Sequence, residues 1–151
     1  MKNIVKKKGD YYQEIRLADC EKELFFCMMY MYPPAIYNIY KIRDNKKVRE
    51  IGDKLGFSIV GYMARLNNDT LKHFYYRHFS EKQKDQRGIH AEDLKNLKLV
   101  VSSFDIAEVN KSRHSIKFIK KFPSGVFNLV MIYNKEKKVL DGKSMWIKVV
   151  K

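Results

Sequence analysis

Ser115-Ile-Lys-Phe-Ile-Lys-Lys-Phe122, Pro123-Ser-Gly125 and Val126-Phe-Asn-Leu-Val-Met-Ile-Tyr133 together decide how this chain folds. The first and last runs are β-branched and aromatic. The Pro-Ser-Gly between them has the chemistry of a hairpin turn. The run 126–133 is nearly all apolar, which predicts a central strand covered on both faces. Two similar segments flank this pair. One spans 106–109 and leads into turn residues at 110–113. The other spans 144–150 and follows turn signals at 134–138 and at Asp141-Gly142. The C-terminal third therefore reads as an antiparallel meander.

Upstream of residue 104 the hydrophobic period lengthens. Leu94, Leu97, Val100 and Val101 form one stripe of a helix over 91–103, with Glu92 and Asp93 in its first turn, where the helix dipole favours acids. Residues 80–88 are charged and read as a loop. Asn67-Asn68-Asp69-Thr70 is a dense N-cap signal, so a helix is expected over 70–79. Residues 57–66 read as a strand, 46–55 as a short helix closed by Gly56, and 35–42 as a strand or a short helix. Ile15, Ala18, Leu24, Phe25 and Met28 show helical spacing over 10–31, before Pro33-Pro34 breaks the pattern. Residues 1–8 read as a basic tail. Helices first and strands last predict an α+β fold. The expected organisation is a helical extension over 1–56 packed on a domain spanning 57–151, with the β-meander as its sheet.

The chain has 151 residues, with 31 Lys+Arg against 17 Asp+Glu and a net charge of +14. Such an excess implies a polyanionic partner, either nucleic acid or an anionic membrane surface. A coding sequence rich in A and T would raise Lys, but it would raise Glu as well, so bias alone does not account for the imbalance. Aromatic residues make up 13% of the chain and tilt the choice toward nucleic acid. The apolar run 24–32 is too short to span a bilayer, and the basic N-terminus has no apolar segment of the signal-peptide kind. Cys20 and Cys27 sit two helical turns apart and read as free thiols, which points to a reducing, cytoplasmic setting. No Cys/His cluster has metal-ligand spacing. No phosphate-binding glycine loop and no nucleophile elbow is present. Neither a metal nor a cofactor is expected.

Chemistry-bearing residues concentrate in three places. In Leu71-Lys-His-Phe-Tyr-Tyr-Arg-His-Phe79, Leu71, Phe74, Tyr75 and His78 share the stripe that a helix would bury. His73 and Arg77 are four apart and share another face, as a proton carrier beside a phosphate-binding guanidinium would. The plainer readings are a solvated His73 and a core-packed His78. In the last strand, Ser144, Trp146 and Lys148 alternate with Met145, Ile147 and Val149, so hydroxyl, indole and ammonium share one sheet face. Lys143 opens the same strand, and Lys117, Lys120 and Lys121 lie on the segment 115–122; edge protection is the plainer role for each taken singly. In the loop 80–90, Lys82, Lys84, Arg87 and His90 could close over a substrate, or simply be solvated.

The order of these features is similar to a known family. It runs from a strand to a capped helix with His73-Phe-Tyr-Tyr-Arg77-His78, then to Ile89-His-Ala-Glu-Asp-Leu94, Val100-Val-Ser-Ser-Phe-Asp105 and a β-meander whose last motif is Lys143-Ser144. This resembles the phage-associated barnase–EndoU–colicin–RelE-like nucleases over residues 57 to the C-terminus. The resemblance implies a small, toxin-like, metal-independent ribonuclease. It implies catalytic roles for His73, Arg77 and Ser144 with His78 beside them, and a site lysine from among Lys117, Lys120 and Lys121; the residue pattern itself adds Lys143, Trp146 and Arg87 as nucleic-acid contacts. Ser144 stands where a threonine is more usual.

The expected reaction is cleavage of single-stranded RNA or a tRNA loop. His73 takes the proton of a ribose 2′-hydroxyl, and attack on phosphorus gives a 2′,3′-cyclic phosphate. A cognate protein inhibitor or antitoxin is the expected protein partner. Two other readings stand beside it: a basic module that binds nucleic acid without cutting it, and a phage or mobile-element protein that inhibits a host factor.

Overall fold

The fold was obtained as a computed structural model, which describes residues 4–6, 13–16, 35–67, 69–70, 73–74, 85–89 and 91–149. Its strands are β1 (Ile4–Lys6), β2 (Gln13–Arg16), β3 (Ala35–Lys41), β4 (Met63–Asn67), β5 (Gln86–Arg87), β6 (Ile106–Asn110), β7 (Ser115–Phe122), β8 (Gly125–Asn134) and β9 (Val139–Lys148). Two α-helices are described, α1 (Lys46–Leu55) and α2 (Leu97–Ser102), with 3₁₀ turns at Ala91–Asn96 and Lys111–Arg113. The sheet order is β1-β2-β3-β4-β9-β8-β7-β6, and β5 pairs with the C-terminal end of β9. The architecture is α+β, as the sequence predicts, and β6 to β9 form the expected antiparallel meander. The whole sheet is mixed, because β4 runs parallel to β9 and β2 parallel to β3.

Helices and sheet share one core. Val48, Ile51 and Leu55 of α1 and Leu97, Val100 and Val101 of α2 are buried against Phe118, Phe127, Leu129, Met131, Met145 and Ile147 of the sheet. Burying each such side chain is worth roughly 1.5–3 kcal/mol. Helix α1 matches its expected bounds because cap, stripe and stop agree. Asn45 Oδ1 accepts from Val48 N at 2.9 Å, and Gly56 closes the helix in the left-handed conformation.

Several expectations are corrected. Residues 13–16, expected within a helix, form β2, and residues 4–6 of the expected tail form β1. Residues 17–34 of the expected extension lie outside the described residues, whereas its residues 35–56 hold β3 and α1. Pairing with β3 is a tertiary contact that local periodicity does not register. The strand expected over 57–66 starts only at Met63. Before it, Ser58 Oγ accepts from Val60 N and Gly61 adopts φ +87, which makes a turn instead. The helix expected over 91–103 is split, with 3₁₀ geometry up to Asn96. Asp141-Gly142 is not a turn. Strand β9 runs through it, and the hairpin turn falls at 135–138 under the Asn134 side chain. Strand β8 is central, but only one of its faces is sealed; Val130 and Ile132 on the other are partly exposed.

A β-bulge explains the phase of β9. Val130 pairs with Ser144 and Met131 with Gly142, which leaves Lys143 as the extra residue. A Cβ on Gly142 would lie 1.9 Å from Leu66 Cδ2, so any side chain here would force the buried Leu66 to move. The bulge brings Asp141 onto the face of Ser144, where Arg65 Nε donates to Asp141 Oδ1 at 2.6 Å.

Candidate active site

Strand register builds a site on the face of the meander opposite the helices. Glu108, Lys117, Val130 and Ser144 are successive partners across β6, β7, β8 and β9. Ile106, Ile119, Asn128 and Trp146 form the adjacent row, and Asn110, Ser115, Ile132 and Asp141 the row on the other side. Side chains in such rows point to the same face. The 3₁₀ turn after β6 rises as one wall, supplying Lys111, Ser112 and Arg113. The result is a concavity of ≈ 810 Å³ lined by Lys111, Arg113, Lys117 and Lys143, with Glu108, Ser144 and Trp146.

The concavity is electropositive, and its contacts are specific. Lys117 Nζ lies 2.8 Å from Glu108 Oε2 and 5.6 Å from the centroid of Trp146. One ammonium is therefore held by a carboxylate and by the face of the indole. Lys117 is 29% exposed and Glu108 57%, so both remain within reach of a ligand. Asn128, a polar residue in an otherwise apolar strand, is 4% exposed beside Trp146, and its Nδ2 donates to Val126 O at 3.2 Å. Among the described residues no group of three or more His, Cys, Asp or Glu is placed to hold a metal ion. A lysine, a hydroxyl and an indole on one surface can hold a phosphate and stack a base.

The expected site residues fall into three groups. Ser144, Trp146, Lys117 and Lys143 meet at the concavity. Lys120 and Lys121 do not line it. Lys120 Nζ donates to Ser103 O at 2.8 Å at the C-terminal end of α2, where a cation suits the dipole. Lys121 is exposed, and its backbone N–H donates to Asp105. Arg87 forms a latch: its guanidinium donates to both Asp93 oxygens at 2.8 and 2.9 Å, to Ser124 O at 2.8 Å and to Gly88 O at 2.9 Å.

The helix with the histidines begins as its cap predicts, since Asn67 Oδ1 accepts from Thr70 N at 2.7 Å. His73 is helical and exposed, and Phe74 beside it is 1% exposed in the core. His73 is not among the residues lining the concavity. Arg77 and His78 lie outside the described residues.

Sequence reasoning missed Glu108, Lys111 and Arg113. The first becomes visible only once β6 and β7 are in register; the other two sat in a stretch read as a turn. The Arg65–Asp141 pair needs the bulge and could not be read locally.

A family model described as phage-Barnase-EndoU-ColicinE5/D-RelE like nuclease3 matches residues 41–149, from the end of β3 to just beyond β9. No curated protein and no solved structure gives a significant match. No helix among the described residues is long and apolar enough to cross a membrane.

Proposed function

The chain belongs to the phage-associated barnase–EndoU–colicin E5/D–RelE-like nuclease family, and from that premise we propose that it is a metal-independent endoribonuclease of toxin-like character. The observation that carries this reading is the convergence of Lys117, Ser144 and Trp146 on one electropositive concave face. The scissile phosphate sits between the Lys117 ammonium and the Ser144 hydroxyl. Trp146 stacks an adjoining base, and Lys111, Arg113 and Lys143 hold flanking phosphates.

In this mechanism His73, which lies outside the lining of the concavity, accepts the proton of a ribose 2′-hydroxyl on a nucleotide that extends beyond that lining. The 2′-oxygen bonds to phosphorus, the bond to the 5′-oxygen breaks, and that oxygen takes up a proton. The products are a 2′,3′-cyclic phosphate and a 5′-hydroxyl. Lys117, Ser144 and Arg77 offset the charge that builds on the phosphorane oxygens, and His78 steadies the helix that presents His73. The 2′-hydroxyl requirement makes RNA the substrate rather than DNA. A single-stranded segment or a tRNA loop suits a stacking site on an open sheet. A protein inhibitor that covers this face would be its natural control.

End-group analysis tests the reaction. Labelled RNA incubated with the protein in a chelator should yield cyclic-phosphate and 5′-hydroxyl ends. Intact RNA, or ends bearing a 5′-phosphate, would refute it.

A further inference from the structure

A second groove lies at the far side of the fold, where β3 leaves the sheet. It has a volume of ≈ 890 Å³ and is lined by Lys41, Arg43 and Lys98, with Tyr40, Val60 and Gly61 among its walls. All three cations are exposed. No carboxylate is among the described residues that line it.

The groove's cations lack the acidic partners that several others in the fold have: Arg49 with Asp44, Arg65 with Asp141, Arg87 with Asp93, Lys117 with Glu108 and Lys120 with Asp105. Asp44, although next to Arg43 in sequence, turns to Arg49. Among the described residues, the side chains of Lys41, Arg43 and Lys98 take part in no hydrogen bond or ion pair. Like charges held together without partners favour a polyanion.

The groove is also preformed. Ile42 N donates to Tyr62 O and Gly61 N to Ile42 O, each at 2.8 Å, which ties Lys41 and Arg43 to the 58–62 turn. Gly61 stands at φ +87, a conformation that favours glycine, and leaves that wall without a side chain. The pairing of β2 stops at Asn38, so the outer edge of β3 from Ile39 to Lys41 has no strand partner among the described residues. Through β4, Lys41 is in register with Val139 at the start of β9, and Ser144 lies five residues further along that strand.

We propose that this groove is a second RNA-binding site, in which Lys41, Arg43 and Lys98 hold backbone phosphates of the strand whose other segment occupies the Ser144 concavity. The inference rests on RNA being the ligand but not on its cleavage. A non-cleavable 2′-O-methyl oligonucleotide of about twelve nucleotides separates the two questions, because its binding can be followed against salt. Each phosphate contact on a single strand contributes about 0.7 to the slope of log K against log salt. The variant carrying Lys41→Gln, Arg43→Gln and Lys98→Gln should lower that slope by about 2. Trp146→Ala should weaken binding with the slope nearly unchanged.

Matching thermal melts establish that the triple variant is folded. If it is not, each single variant should lower the slope by about 0.7. An unchanged slope in folded variants would overturn the proposal. Loss of poly-glutamate binding with RNA binding intact would overturn it too, in favour of an acidic protein partner. A reduced slope in a protein that never cuts RNA would uphold the groove while refuting the nuclease reading.

Discussion

The two faces of the meander carry similar residue types and put them to different uses. Lys117 and Lys120 sit three residues apart on β7. Lys117 enters the open concavity, shared between Glu108 and the indole of Trp146. Lys120 turns to the helix side, where it meets Ser103 O and Asp105. Phe118, Leu129 and Met145 seal the helix face, whereas Val130, Ser144 and Trp146 leave the other partly open. Strand parity and register, not residue type, decide which lysine can meet a ligand.

The largest expected effect tests whether chemistry is confined to the open face. His73 lies on a helix that buries Phe74 in the core, and it does not line the concavity. His73→Ala should lower the cleavage rate by about 10²–10⁴-fold, the usual worth of positioned proton transfer, with RNA affinity nearly intact. Wild-type turnover by this variant would move proton transfer to the open face, where Glu108 is the carboxylate in place. A smaller effect concerns binding alone. Trp146→Ala should cost about 1–3 kcal/mol of affinity for single-stranded RNA, the range of one base stack. Trp146→Phe should recover part of it, and equal binding by all three proteins would remove the indole from the site. The smallest effect belongs to the sealed face. Lys120→Ala should reduce stability by about 1 kcal/mol through the lost contact with Ser103 O, read by denaturant titration. A loss of RNA affinity instead would blur the distinction between the faces.

Much of this arrangement was legible from sequence, for identifiable reasons. The hairpin 115–133 declares itself because β-branched runs and a Pro-Ser-Gly turn agree, and Asn67 announces the start of one helix as Gly56 does the end of another. The alternation of Ser144 and Trp146 with Met145 and Ile147 placed the first two on one face. The start of β9 was hidden, because Asp141-Gly142 has turn chemistry and its strand conformation depends on Leu66 from another strand. Glu108 was hidden because its importance lies in a partner on β7. Arg87 read as a substrate contact or a solvated loop charge, since nothing local announces that Asp93 and Ser124 O converge on it. Strands β1 and β2 were missed because their pairing with one another and with β3 is non-local.

The most direct test of the central claim compares Lys117→Ala with Lys120→Ala in single-turnover cleavage of one RNA, with cyclic-phosphate ends as the readout. If the open face is the active site, Lys117→Ala loses about 10²–10³-fold in rate, as expected for removing one donor to a developing oxyanion, and Lys120→Ala cleaves like the wild type. Equal losses in both, or a loss confined to Lys120→Ala, would contradict the assignment of the reaction to the face that holds Ser144.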